Sequence, residues 1–204
     1  MANRNTQGYG LIPVATLGNT PSTQGQSAYK IEAAYGTSIY NGAPVVSAAG
    51  YMTEGTVVTT GTTGMLGVLN GIFYNASTTL KPTWANWYNQ PITPANSEDV
   101  TCFVLDNPFQ LFVGSTSAAV TQANVGRTVS FAAAVPTGNE QSGQCTNTMD
   151  IGNINDTNNQ WRIIRNAEDP ENNDQTAAYC SMVFAQNLGQ YLLNSATAGN
   201  DWTI

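Results

Sequence analysis

The chain of 204 residues contains no histidine. That absence excludes Ser-His-Asp triads, His-bearing zinc sites and acid–base catalysis by imidazole, and it also excludes a Cys nucleophile with a His base. The chain also lacks a P-loop and a GxGxxG fingerprint. Gly8 and Gly10 have the spacing of the first two glycines of that fingerprint, but they stand near the N-terminus and do not follow a strand. We therefore expect neither an enzyme nor a bound cofactor.

Charge is scarce as well. Charged residues make up 9% of the chain, against about 25% in an average soluble protein. Six cations and thirteen acids leave a net charge of −7, which argues against DNA or RNA as a partner because binding to phosphates needs clustered Lys and Arg. No apolar run approaches the roughly 20 residues that span a membrane, and the N-terminus lacks the apolar region of a signal peptide. Neither nucleic acid nor a membrane is an expected partner.

Cysteine is infrequent and irregularly spaced. Cys102, Cys145 and Cys180 form no CxxC motif, and Cys102 and Cys180 each lie in an apolar stretch. This pattern favours reduced, buried thiols that act as small hydrophobic side chains, with a single disulfide as the alternative.

What the chain does have is short β-like runs separated by turn residues. About a quarter of the residues are Asn or Thr, which suits strands and loops better than exposed helices. We predict strands near residues 30–35, 44–47, 54–60, 100–105, 110–113 and 128–135, and a strand over 161–165 that pairs with 177–185. Asn70-Gly71, within LGVLNGIFYN, predicts a two-residue hairpin turn. Residues 121–126 favour one short helical turn. The fold class is all-β, an antiparallel barrel or sandwich.

Three regions follow from composition. Residues 1–30 are rich in Gly, Thr, Gln and Pro and are predicted to form an extended arm, residues 31–185 a β-barrel domain, and residues 186–204 a tail. The arm carries Arg4 and Lys30 without a carboxylate, a charge of +2, whereas the other four cations and all thirteen acids leave −9 on the remainder. Electrostatic attraction between the arm and the remainder acts within one chain or between neighbouring chains.

Candidate chemistry is limited to carboxylates, oxygen ligands and aromatic rings. Glu98-Asp99 and the cluster at residues 168–171 are the carboxylate candidates for a hydrolase, but their Pro, Asn and Ser neighbours are typical of solvated loops. Residues 150–160, DIGNINDTNNQ, supply oxygen atoms but lack the EF-hand pattern, so turn formation explains them better than Ca²⁺. Trp84, Trp87 and Tyr88 favour either packing within or between chains, or a platform for sugars.

Several stretches resemble the decoration, or cement, proteins of tailed-bacteriophage heads. They are NRNTQGYGLIPVATLGNTPSTQGQSAYKIEAAYG from residue 3, LGVLNGIFYN from residue 66, NSEDVTCFVLDNPFQLFV from residue 96, and QWRIIRNAEDPENN with AAYCSMVF near the C-terminus. The likeness covers most of residues 1–185, and the tail from residue 186 has no counterpart. It implies a non-enzymatic β-barrel or β-tulip-like domain, often a homotrimer, on the capsid surface of a virion assembled in the host cytoplasm.

On this resemblance, the partner is the major capsid protein. Nine residues are the candidates for partner binding: Arg4, Tyr9, Leu11, Ile12, Val14 and Leu17 in the arm, and Trp84, Trp87 and Tyr88 in the aromatic segment. The alternative function is a carbohydrate-binding β domain of a phage tail or surface appendage, which would use the three aromatic residues. A two-carboxylate hydrolase is the third reading.

Overall fold

A computed structural model describes residues 3–18, 25–55, 64–133, 137–156 and 159–190. The all-β prediction is confirmed, because this part of the chain consists of strands joined by loops and three single-turn 3₁₀ helices, at Ala95–Ser97, Gln122–Asn124 and Ile151–Asn153. The second of these confirms the short turn predicted over residues 121–126. The strands are β1 (Ile12–Thr16), β2 (Ser27–Ile31), β3 (Pro44–Ala48), β4 (Tyr51–Glu54), β5 (Gly67–Asn75), β6 (Pro82–Ala85), β7 (Val100–Leu105), β8 (Gln110–Ser115), β9 (Thr128–Val129), β10 (Trp161–Asn166) and β11 (Ser181–Gln186).

The strands form two antiparallel sheets. Sheet A has the order β1-β8-β11-β10-β9, and sheet B has the order β2-β7-β5-β3-β4 with β6 paired to β5. A closed barrel is therefore not formed, and the arrangement is closer to a sandwich. One continuous cluster of buried side chains draws on both sheets, which makes them a single packed unit.

The strands that were predicted best are those in which buried and more exposed residues alternate. In β7, Val100, Cys102 and Val104 are fully buried while the residues between them face outward. This two-residue period is the pattern of a strand with one face on a core. The prediction for residues 161–165 is also confirmed, because β10 pairs with β11 from Trp161 opposite Gln186 to Asn166 opposite Met182.

The prediction of a hairpin turn at Asn70-Gly71 is wrong. β5 runs straight through this dipeptide, and its register against β7 shifts between Leu69 and Gly71. Residues on both sides of the dipeptide pair with the same partner strand, so continuous pairing with β7 outweighs the local turn preference, and the extra residue is accommodated as a bulge. The hairpin that does form joins β5 to β6, with Ala76 N donating to Lys81 O.

Three other strand predictions hold only in part. The strand predicted over residues 30–35 is β2, which spans Ser27–Ile31 and ends four residues early. β4 ends at Glu54, and residues 56–60 of the strand predicted over 54–60 lie outside the described residues. Of the strand predicted over 128–135, Thr128–Val129 is a strand and Phe131 forms an isolated bridge with Met149, while residues 134–136 are not described.

Two segments that begin within residues 1–30 are strands of the two sheets. β1 pairs with β8 at one end of sheet A, and β2 pairs with β7 in sheet B. The proposed boundary at residue 30 therefore falls inside β2. The predicted tail is described only as far as Gln190, whose side-chain amide exchanges hydrogen bonds of 2.8 and 3.0 Å with the backbone of Ser47.

Candidate interaction surfaces

Three of the candidate residues near the N-terminus are anchored to the rest of the chain. Arg4 pairs with Glu171, and its backbone N–H donates to the Glu171 carbonyl. The Tyr9 hydroxyl lies 3.0 Å from Ser181 Oγ, and burial raises the pKa of Tyr9. Leu11 is 2% exposed and donates its N–H to Gly42 O. Arg4, Tyr9 and Leu11 thus attach the N-terminal segment to the body of its own chain.

The next candidate residues along the N-terminal segment have exposed side chains. Ile12 is 46% exposed, Val14 47% and Leu17 43%. Phe109 lies beside them, since Leu17 N donates to Phe109 O, and it is 57% exposed. We call Ile12, Val14, Leu17 and Phe109 the apolar edge. It holds four of the six large apolar side chains that are exposed in the described part of the chain. Such clustering is typical of contact surfaces, whereas single exposed apolar residues are ordinary.

The backbone of β1 suits side-chain contacts better than strand addition. Pro13 has no N–H to offer, and the register against β8 shifts between Pro13 and Ala15, which makes Val14 the bulged residue. Proline and bulges on an edge strand oppose pairing with a further strand. Val14, at the bulge, is 47% exposed and is therefore part of the apolar edge.

The three aromatic candidates do not form one platform. Tyr88 is fully buried, with its hydroxyl donating to Tyr35 O at 3.0 Å and accepting from Ile92 N at 3.3 Å. Trp87 is 8% exposed and stacks on Tyr40 with ring centroids 4.9 Å apart. Trp84 alone is open, at 68% exposure. The adjacent positions in sequence fall on different faces, so a flat sugar platform built from all three is not present.

Trp84 lies instead on the outer face of sheet B. Its ring is 4.7 Å from that of Phe73, its cross-strand partner, and stacks at 5.3 Å on Phe103 of β7. Such aromatic pairs contribute about 0.5–1.5 kcal/mol beyond the area they bury. The aromatic segment therefore covers the second face of β5, and Leu80, 73% exposed, extends the apolar surface of this hairpin.

The carboxylate candidates serve local structure. Asp99 Oδ1 accepts from Ala33 N at 3.2 Å beside sheet B. Asp169, in the loop between β10 and β11 of sheet A, accepts from Asn172 Nδ2 and Glu171 N, and these hydrogen bonds lower the pKa of Asp169. In the calcium candidate, Asp150 Oδ1 accepts from Gly152 N, the ordinary cap of a helical turn. Across the described ranges, no three His, Cys, Asp or Glu side chains are placed to hold a metal ion.

The three cysteines are buried and free, as expected for Cys102 and Cys180. Burial raises the pKa of Cys102 to about 12 and that of Cys145 and Cys180 to about 11. A thiol needs a lowered pKa to act as a nucleophile at neutral pH. These positions are therefore suited to packing.

Phe109 was missed by the sequence analysis although a signal for it existed. It follows Asp106-Asn107-Pro108, a turn sequence between two confirmed strands, and Asn107 Oδ1 accepts from Phe109 N at 3.0 Å. An aromatic residue held by an Asx turn outside the strands has no core to enter.

Within the described residues, no helix is long and apolar enough to cross a membrane. Comparison with known proteins finds no matching family model, no matching curated protein and no matching solved structure.

Proposed function

We propose that this chain is a non-enzymatic structural protein of a tailed-phage head that cements neighbouring major capsid subunits. The observation that carries the proposal is the apolar edge, where four large side chains stand about half-exposed on β1, just after β1, and in the loop that precedes its partner strand β8. The sequence resemblance supplies the capsid as the setting. The proposed partners are the major capsid protein and further copies of the chain in a homotrimer, on the outer surface of the head.

The apolar edge alone supports only a weak contact. Fully burying an aliphatic or aromatic side chain contributes about 1.5–3 kcal/mol, so covering the exposed half of four such side chains contributes about 3–6 kcal/mol. Taken alone this corresponds to roughly millimolar affinity or somewhat tighter. Seating on a repeating lattice raises the effective concentration, and a trimer engages several sites at once. Weak individual contacts therefore suit a protein that acts in many copies.

A cement protein also needs more than one contact surface. The second is the β5–β6 hairpin of sheet B with Leu80 and Trp84, separate from the apolar edge on sheet A. Two apolar surfaces on different sheets allow one chain to touch two neighbours. The net charge of −7 adds repulsion from packaged DNA.

Quantitative mass spectrometry of purified phage particles tests the proposal. We expect the chain in particles at a fixed ratio to the major capsid protein. The double substitution Val14→Ser/Phe109→Ser is expected to reduce that ratio while leaving the fold intact, since both side chains are half-exposed. Gln122→Ser, an exposed polar position on a 3₁₀ helix, is the matched control. Particles that contain no copies of the wild-type chain would overturn the proposal.

The carbohydrate-binding alternative does not rest on a Trp84–Trp87–Tyr88 platform, given the burial of two of the three. A glycan array tests what remains of it, because a head protein that acts only by cementing binds no sugar at Trp84. Saturable binding that Trp84→Ala abolishes would favour the alternative for that surface.

A further inference from the structure

A second kind of site lies on the inner side of the β5–β6 hairpin, on the face opposite Trp84. It is a cleft of about 450 Å³ between the hairpin and the loop that follows β6. This volume falls within the range of about 300–1,000 Å³ that is typical of small-molecule sites. Ala85 lines it, whereas its neighbour Trp84 projects from the opposite face of β6. The cleft is thus independent of the surface that carries Trp84.

The chemistry of the cleft is aromatic and polar without charge. Its walls include Tyr74 and Trp87, and its remaining polar side chains are Ser77, Thr78, Asn89 and Thr93. No Asp, Glu, Lys or Arg lines it. An uncharged wall offers no compensation for a phosphate, a carboxylate or an ammonium group that loses water on binding. The preferred ligand is therefore neutral.

The four polar side chains are available to a ligand. Ser77, Thr78, Asn89 and Thr93 are all exposed, and within the described residues none of them has a side-chain hydrogen bond to another part of the chain. Three hydroxyls and one amide each supply both donors and acceptors. A ligand rich in hydroxyl groups satisfies both kinds without breaking any internal bond of the protein.

The aromatic walls are held in place by packing behind them. Trp87 stacks on Tyr40 at an interplanar angle of 8°, and a Cβ added at Gly143 would stand 2.0 Å from Trp87 Cδ1. Glycine at that position therefore lets the loop close against the indole edge. Tyr74 is packed against the main core from the β5 side. Trp87, 8% exposed, offers little of its ring to a ligand, so the half-buried Tyr74 is the aromatic side chain that complements the C–H face of a sugar ring, while the free polar groups complement its hydroxyl rim.

We propose that this cleft binds a neutral sugar, as a monosaccharide or a terminal unit of a longer glycan. The site does not depend on the head-cementing function, and each stands if the other fails. A short peptide is the competing occupant, but it would bring backbone amides along an extended path, whereas the cleft is a local depression bounded by one turn and one loop.

The test is an NMR titration of the full chain with methyl α-glucoside, methyl β-galactoside and N-acetylglucosamine. We expect saturable shifts of the amides of residues 76–78, 89–90 and 92–93 with at least one of the three, at dissociation constants on the order of millimolar, as suits an open cleft. Thr78→Ala/Asn89→Ala is expected to weaken binding roughly three- to tenfold for each hydrogen-bonding side chain removed. Thr79→Ala, exposed in the same turn but outside the cleft, is the matched control and should bind as the wild type.

Two further controls distinguish the cleft from the outer face of the hairpin, and a sugar from a peptide. Trp84→Ala should leave the titration unchanged, since that ring lies on the other face of β6. The proposal is overturned if none of the three sugars shifts these amides at concentrations far above millimolar, if the shifts map elsewhere, or if a Ser- and Thr-rich hexapeptide binds the cleft and the sugars do not.

Discussion

Leu11 and Ile12 are neighbours with opposite environments, and substituting each with Ala should separate folding from binding. Leu11 is 2% exposed and lies in the main core, where a Cβ added at Gly114 would stand 3.3 Å from its Cδ2. Truncating a buried leucine costs about 2–5 kcal/mol, because transfer free energy is lost and a cavity remains. Ile12 is 46% exposed, so Ile12→Ala should cost about 1 kcal/mol or less.

Urea denaturation followed by far-ultraviolet circular dichroism measures the difference. With a slope of about 2–3 kcal/mol per molar urea, Leu11→Ala should lower the midpoint by about 1–2 M, while Ile12→Ala moves it by less than about 0.5 M. In the proposed capsid binding the order should reverse, with Ile12→Ala weakening attachment and folded Leu11→Ala retaining it.

Equal midpoints for Leu11→Ala and the wild type would refute this reasoning. That result would mean that the N-terminal segment is not packed on the body in solution and behaves as the free arm that its composition suggests. A loss of several kcal/mol from Ile12→Ala would also count against it, because the apolar edge would then be covered within the chain.

Three further outcomes follow from individual side chains. Burial raises the pKa of Glu54 above its ordinary value of 4.5, so the stability that its neutral form provides is complete below pH 4.5 and is lost as the pH rises through the folded-state pKa. Glu54→Gln should therefore raise the melting temperature at pH 7 but not at pH 4, and equal gains at both would contradict this. Cys102, with a pKa of about 12, should react with iodoacetamide in the native protein far more slowly than in urea, and equal rates would show an open thiol. Gly143→Ala should lower the melting temperature more than Gly126→Ala, since both have positive φ but only Gly143 faces the Trp87 ring; equal losses would remove the steric argument.

The sequence carried enough information for the strands with a regular period. Residues 100–105 alternate cleanly, and Asp106-Asn107-Pro108 separates them from the next strand, so β7 and the start of β8 were placed closely. β10 and β11 were paired correctly because two apolar runs flank a polar loop. In each case the local pattern and the tertiary partner favour the same structure.

Where long-range pairing decides, local patterns failed. Asn70-Gly71 has the composition of a turn, yet both of its flanks lie along β7. The placement of β1 has the same cause, since a Gly- and Pro-rich segment becomes a strand only through its pairing with β8. No local feature marks which of Leu11 and Ile12 faces the core.

The nine candidate residues for partner binding differ in exposure, and the sequence did not show which of them are buried. The arm residues Ile12, Val14 and Leu17 are exposed as a contact surface requires, while Leu11 and Tyr9 bind their own chain. The aromatic group divides because Trp84 and Ala85 point to opposite faces of β6, and Trp87 and Tyr88 then turn into the core. Adjacent aromatic residues in a sequence do not show which face each will take.

Co-sedimentation of the purified chain with empty heads assembled from its proposed partner, a major capsid protein of a tailed phage, tests the central claim most directly. The account predicts that the chain pellets with the heads and saturates at a fixed ratio. It also predicts that Val14→Ser/Phe109→Ser shifts the binding curve to higher concentration. A wild-type chain that stays in the supernatant at every concentration, or a double variant that binds as tightly as the wild type, would contradict it.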